Sequence, residues 1–365
     1  MSLLWIDGFD THGADNANVD NTLMYSGYNY ANSCKTHAFT RTGEGMSMDI
    51  GFANDHGFRF LHDANISVPV IVGIAFYYTN IIHILSIVGF RSGTIGGSEY
   101  NHFEVGLNNS GQIIMLHGTH NSVTAAREII LGGDRNVVFQ NGWYYMEVEY
   151  LAHATAGYCK CRIDGVERLV YTGNTLNTTA SDSSFNAMRI SPGNSYSLGV
   201  GFPTTWVDDM YYLSREGTNF NDYQGDCVVV SRFPNVDVAP NQMTPLSGTA
   251  HYAMVNQTFD DDATYLSTLL NAQEEWFGAP NLPSSVITVL GAQVQSLGKK
   301  DAASTSGFQT GARISGGGST LWSPTKTMNT TYQEKSLLLP TKPGGGAWTV
   351  ADANNIEFGF KTVPV

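Results

Sequence analysis

Trp143-Tyr-Tyr-Met-Glu-Val-Glu-Tyr-Leu151, the small residues Ala152 to Gly157, Tyr158-Cys-Lys-Cys-Arg-Ile163 and the pair Asp164-Gly165 form the stretch on which the fold turns. Two runs with the period-2 alternation of strands are joined by a short loop and closed by an Asp-Gly pair, whose access to positive φ suits a tight hairpin turn. The stretch reads as a β-meander, and no catalytic signature accompanies it.

On such a hairpin Glu147 and Glu149 lie two apart and share a face, and paired carboxylates are what glycoside hydrolysis requires. The return strand supplies a simpler account. Lys160 and Arg162 alternate there with Cys159, Cys161 and Ile163, so the basic pair faces the acidic pair across the ladder, at about 0.2–1 kcal/mol per pair. Structural pairing is preferred to catalysis. Cys159 and Cys161 on one face of one strand are poorly placed to bridge, and free, buried thiols are expected. Trp143, Tyr145 and Trp206 are able to stack on sugar rings, but aromatic residues in sandwich strands usually fill the core, and that reading is preferred.

Outward from the meander, strand-like runs recur between Gly, Asn and Ser turns from Leu3–Phe9 to Trp206–Leu213. Their number and spacing predict an all-β sandwich rather than alternating strands and helices. The runs Leu4-Trp-Ile-Asp7 and Trp206–Leu213, both aromatic and aspartate-bearing, are expected to pair and close a domain over residues 1–215. Residues 216–226 then read as a linker. Residues 227–365 read as a smaller β-rich domain with strands at Val228–Phe233, Ile287–Lys299, Gly307–Ile314, Thr330–Leu339 and Ile356–Val363. One or two short helices are expected there, at Tyr265–Ala272 behind Asp260-Asp261-Asp262 and at Val350–Asn354 capped by Thr349.

Composition narrows the function. The charged fraction is 14%, low for a folded domain, and 19 basic against 32 acidic residues leave a net charge of −13 with no basic cluster. Nucleic-acid wrapping needs a concentrated positive field and is not expected. The stretch Met1 to Asp7 has no basic region and meets a carboxylate early, so synthesis and folding in the cytosol are expected. Val68 to Phe90 carries no formal charge and is long enough to span a bilayer as a helix. Pro69, the Thr79-Asn80 break and the β-branched run Val70-Ile71-Val72 instead predict two buried strands around a turn at Asn80, without membrane insertion.

The remaining candidates are weaker. The carboxylates of Asp260-Asp261-Asp262 are able to hold calcium but lack spaced ligands, and capping of the adjoining helix is preferred. Asp208-Asp209, at a strand ending, is open to the same two readings, with capping of a turn slightly preferred to calcium binding. Ten histidines show no metal-ligand spacing, and His117 with His120 is too weak a pair to assign. Nucleophile elbows, Walker loops and dinucleotide fingerprints are absent. No catalytic residue, cofactor-binding residue or metal ligand is assigned, and no cofactor is expected.

Longer motifs suggest a family. Leu3-Leu-Trp-Ile-Asp-Gly-Phe-Asp10, Phe103-Glu-Val-Gly-Leu107 with Gly111-Gln-Ile-Ile-Met115, Gly142-Trp143, Arg162-Ile-Asp-Gly165 and Val207-Asp-Asp-Met-Tyr211 together resemble the concanavalin A-like, or laminin-G-like, jelly roll. The opening and the Val-Asp-Asp close resemble those of tailed-bacteriophage virion proteins, as do Gly345-Gly-Ala-Trp-Thr349 and Asn355-Ile-Glu-Phe-Gly-Phe360. The resemblance implies a non-enzymatic virion structural protein, a capsid decoration or fibre, or a tail fibre or collar component. It would assemble in the host cytoplasm, contact other virion proteins and form a homo-oligomer, a trimer by the fibre analogy. The alternative is a lectin-like module that recognises host-surface glycan. A polysaccharide-degrading enzyme on the same fold is the third reading, and it requires Glu147 and Glu149 to be exposed and unpaired in a groove.

Overall fold

The computed structural model describes residues 3–12, 28, 30–32, 34–43, 45–50, 57–79, 85–92, 100–117, 128–131, 137–176, 185–190, 204–257, 262–301, 306–316 and 318–365. The chain divides into two compact units, Met1–Val229 and Val230–Val365. In both, nearly all of the regular secondary structure is strand, so the fold is all-β.

The strands of the first unit are β1 (Leu3–Asp7), β2 (Tyr30–Asn32), β3 (Lys35–His37), β4 (Ser47–Asp49), β5 (Gly57–Ile66), β6 (Val70–Tyr78), β7 (Leu85–Ser92), β8 (Tyr100–Leu107), β9 (Ile113–His117), β10 (Glu128–Leu131), β11 (Trp143–Leu151), β12 (Gly157–Ile163), β13 (Val166–Gly173), β14 (Phe185–Ile190) and β15 (Thr205–Ser214). They form two antiparallel sheets. One runs β13-β12-β11-β6-β15-β4-β3 with β1 also on β15, and the other runs β10-β9-β8-β7-β14-β5-β2. This is the jelly-roll type of sandwich expected from the motif order.

Alternation explains how the sheets meet. Tyr144, Met146, Val148 and Tyr150 of β11 point inward, as do Cys159, Cys161 and Ile163 of β12 and Val72, Ile74 and Phe76 of β6, and they share one core with Phe90, Phe103, Val105 and Met115 from the other sheet. Phe90 and Tyr150 stack across it at 4.2 Å with an 8° angle between their planes. The uncharged run at 68–90 supplies β6 and β7, both buried, and the expected turn at Asn80 lies outside the described residues. Among the described residues no helix is long and apolar enough to cross a membrane.

The two ends of the first unit pair as expected, β1 lying antiparallel to β15 with Asp7 opposite Met210. The opening motif is structural. Buried Asp7 accepts from the Phe9 N–H at 2.7 Å and from the Tyr28 hydroxyl at 2.8 Å and meets His12 Nε2 at 3.1 Å, while the Trp5 indole donates to Tyr28 at 3.0 Å. The four cysteines form no disulfide; Cys34, Cys159 and Cys161 are buried and Cys227 half-buried.

The expected linker at 216–226 needs correction. Phe220, Tyr223 and Cys227 pack on Ile71, Tyr145, Tyr211 and Leu213, on the face of the first sheet that points away from the core. The segment is a strap of the first unit because its aromatic residues bury that face.

The second unit contains β16 (Val236–Asn241), β17 (Thr244–Pro245), β18 (Leu266–Ser267), β19 (Glu274–Gly278), β20 (Ala292–Gly298), β21 (Ser306–Ile314), β22 (Leu321–Trp322), β23 (Lys326–Thr327), β24 (Gln333–Leu339), the helix α1 (Val350–Asn354) and β25 (Ile356–Pro364). Its main sheet runs β16-β19-β25-β21-β22, with β23 also on β21. Thr349 caps α1 as expected, its hydroxyl accepting from the Asp352 N–H while the Asp352 carboxylate accepts from the Thr349 N–H. Two expectations fail. Tyr265–Ala272 is not helical, and it holds the short strand β18; Val228–Phe233 is not a strand. Asp262, at φ 51°, binds the Lys299 ammonium and the Tyr332 hydroxyl instead of capping a helix, and Asp260 and Asp261 lie outside the described residues.

Candidate functional site

The outward face of the β3–β13 sheet divides along its strands into a covered half and an aromatic half. Partners in an antiparallel ladder share a face, so register alone assigns the rows. Glu147 sits opposite Gly73 of β6 and Arg162 of β12, and Glu149 opposite Ile71 and Lys160.

In the covered half both glutamates are enclosed, at 1% and 0% exposure. Glu149 accepts from Tyr158 at 2.8 Å, Tyr223 at 2.9 Å and Arg215 at 2.7 Å, and its second oxygen also meets the Lys160 ammonium at 3.3 Å. Burial works to raise its pKa, but these donors together win and hold the carboxyl below its ordinary value. Glu147 accepts from the Tyr211 hydroxyl and from the Gly225 N–H at 2.8 Å. Gly73 makes this possible: a Cβ there would stand 2.1 Å from the Tyr211 ring, which lies flat over the bare backbone to reach the carboxylate.

The expected charge ladder forms only in part. Lys160 reaches Glu149, whereas the Arg162 guanidinium turns to the Tyr223 ring at 3.6 Å. The strap supplies that ring, and Arg162 trades a carboxylate for a cation–π contact. Exposed, unpaired carboxylates in a groove are therefore not what this pair offers.

Asp208 and Asp209 stand at a β-bulge of β15, with Asp209 at φ 50°. They are tie-points rather than a simple turn cap. Asp209 accepts from the Val229 N–H at 2.7 Å and pairs with Arg41 Nε at 3.2 Å, and Arg41 also binds Asp226 and the Cys227 carbonyl at 2.7 Å. The strap is thereby pinned to the sheet. Burial raises both aspartyl carboxyls, and Asp209 next raises Asp208 further. Among the described residues no group of three or more metal-ligating side chains is suitably placed for an ion. His117 bonds the Leu176 carbonyl at 2.8 Å, and His120 is outside the described residues.

The aromatic half is a single row across the sheet. Lys35 pairs with Asp49, Asp49 with Trp206, Trp206 with Tyr77 and Tyr77 with Trp143. Ring centroids of Trp206 and Tyr77 are 5.4 Å apart and those of Tyr77 and Trp143 5.6 Å. Phe39, from the turn after β3, lies over this row, 4.8 Å from Tyr77, 5.2 Å from Trp206 and 5.8 Å from Trp143, stacked on the last. Its backbone is held by an N–H bond to His37 Nδ1 at 2.9 Å and by the Ser47 hydroxyl donating to its carbonyl at 2.7 Å. Phe39 is 38% exposed, and Tyr77, Trp143 and Trp206 are half-buried. The Tyr77 hydroxyl donates to the Asn141 side chain at 3.4 Å, and neither indole N–H of Trp143 or Trp206 meets an acceptor among the described residues.

The three aromatic residues singled out in the sequence thus separate. Trp143 and Trp206 join the surface row, whereas Tyr145 is core to the covered half, its hydroxyl donating to the Asp209 carbonyl at 3.0 Å. Sequence reasoning missed Tyr77 and Phe39. Tyr77 is concealed in the continuous apolar run of β6, where parity is readable only by pairing with Trp143, and Phe39 sits in a turn with no periodicity.

No protein-family model and no curated protein matches the chain. Solved structures that are similar include a Trypanosoma rangeli sialidase, at 10% identity and a TM-score of 0.34 over 49% of this chain and 27% of the sialidase chain. The alginate lyase Aly36B is 12% identical with a TM-score of 0.32, over 58% of this chain and 95% of the lyase. The cellulose induced protein Cip1 is 12% identical with a TM-score of 0.33, over 49% and 84%. The chain thus spans about a quarter of the sialidase's length. At these scores the likenesses carry no argument about function. The virion structural reading is withdrawn: it rested on short motifs alone, and the similar structures named here are a sialidase, an alginate lyase and a cellulose induced protein.

Proposed function

We propose that this chain is a carbohydrate-binding module whose ligand packs on the aromatic surface that Phe39 forms with the row of the first sheet, and that it acts by binding rather than by catalysis. The observation that carries the proposal is the alignment of Trp206, Tyr77 and Trp143 on three neighbouring strands beneath a surface Phe39. Sugar rings present apolar C–H faces, and aromatic surfaces beside amide and hydroxyl groups bind them while the edges hydrogen-bond. Asn141, His37 and the Tyr77 hydroxyl supply such groups here. Enclosure of Glu147 and Glu149 under the strap supports binding over hydrolysis, since the reaction requires two carboxyl groups open to substrate and water.

A glycan array followed by titration calorimetry tests the proposal. Binding is expected, with loss of about tenfold or more in affinity for Trp143→Ala and Phe39→Ala, the scale of a buried aromatic contact. Thermal melts of the variants separate loss of ligand contact from loss of fold. Absence of binding across the array, or undiminished binding by both folded variants, would refute it.

A further inference from the structure

Resting on the carbohydrate reading above, we infer that the ligand of this row is an uncharged glycan chain lying across the strands rather than along them. Direction comes first. The three ring-bearing positions are register partners on β15, β6 and β11, so the row runs perpendicular to the strands for two inter-strand spacings, roughly 10 Å. Along the strands the face changes within one outward residue: Tyr145, next outward from Trp143 on β11, is buried, and the strap covers the outward residues beyond it. A chain of sugars has aromatic surface to track only across the sheet, over Phe39 and the two half-buried tryptophans that flank it.

Charge sets the class. The row's own charges, Lys35 and Asp49, are opposite in sign and paired in register, so they present little net field. The next row along the strands carries Asp208, opposite Ala75, with Asp209 beside it on the bulge, and both are buried and add little charge to the surface. Arg41 beside them is already engaged by Asp209 and Asp226, so its charge is compensated. The whole chain carries −13. A uronate or sialate polymer would therefore gain no ion pair from Arg41 and would approach a chain of net negative charge, whereas uncharged sugars lose nothing.

Calorimetry of the full chain with cello-, xylo- and chito-oligosaccharides and with oligoalginate and oligosialic acid, each at low and at high ionic strength, tests the inference. Binding is expected for at least one neutral oligosaccharide, with affinity shifting by less than about twofold between the two salt conditions, because no ion pair is screened. The anionic oligomers should bind at least about tenfold more weakly. Lengthening the preferred neutral oligomer beyond what the row spans should add no affinity. Tighter binding of an anionic oligomer that weakens with salt overturns the inference while leaving carbohydrate binding in place; failure of every oligosaccharide overturns both.

Discussion

At the residue scale, the two glutamates that resemble a catalytic pair are anchors, and their partners make this testable. Glu149→Ala would leave the Arg215 guanidinium and two tyrosine hydroxyls without their shared acceptor, so unfolding in denaturant should lose about 2 kcal/mol, the usual scale for hydrogen bonds to a charged group. Because Glu149 is held below its unfolded value, its contribution is present above the unfolded carboxylate range and is lost as pH falls through the folded value. Asp208 and Asp209 have the opposite sign. Their folded values are raised, so the folded chain binds protons more tightly than the unfolded one, and stability falls as pH climbs from the unfolded carboxylate value through the raised range. Melting curves against pH should show this alkaline-side loss reduced in Asp208→Asn. An unchanged slope would place the effect elsewhere. The facing of Glu149 and Lys160 was legible in the alternation of the two strands; the turn of Arg162 onto Tyr223 was not, because that ring comes from a segment far along the chain that only folding brings near.

The decisive element is the strap at 216–229. Its composition of Gly, Asn and Asp suits a linker, and local propensity does imply an irregular backbone, which is what it has. What propensity cannot give is where an irregular segment lies. Here the sheet offers Ile71, Tyr211, Leu213 and two buried carboxylates as a bed, and the strap brings apolar rings and backbone donors that fit it. Arg41 pins its far end. Arg41→Ala would remove the pairs to Asp209 and Asp226 and the bond to the Cys227 carbonyl. Cys227 reports on the result: its thiol is pushed up to about 12, chiefly by burial, so alkylation at neutral pH should be slow. In Arg41→Ala, peptide mapping should show faster Cys227 labelling with Cys159 and Cys161 still protected. Equal labelling rates would mean that the strap holds without Arg41. Beneath it, Gly73→Ala should cost about 1–3 kcal/mol in denaturant unfolding, the range for overpacking, since the new methyl meets a Tyr211 ring that is tied to Glu147.

At the scale of the whole molecule, the first unit encloses one sandwich core and the second a smaller one around Trp348, Leu339 and Ile356. The expected end of the first domain at residue 215 stops short of the strap. A chain of residues 1–229 should melt cooperatively by near-ultraviolet circular dichroism. A chain of residues 1–215 should melt at lower temperature and be degraded faster by protease, because Glu147 and Glu149 then lie on an uncovered face. Equal melting temperatures would show that the strap adds nothing to the unit. The sequence by itself determined the all-β class, the meander of β11, β12 and β13, the pairing of β1 with β15 and the cap of α1, since each arises from alternation, turn chemistry or a four-residue cap. Only the tertiary structure decided that Trp143 and Trp206 belong to a surface row with Tyr77 and Phe39 while Tyr145 is core, and that the glutamates are closed from solvent. Alternation tells which residues share a face, but what covers that face depends on register between distant strands and on the path of a loop, and neither has a period that the sequence can show.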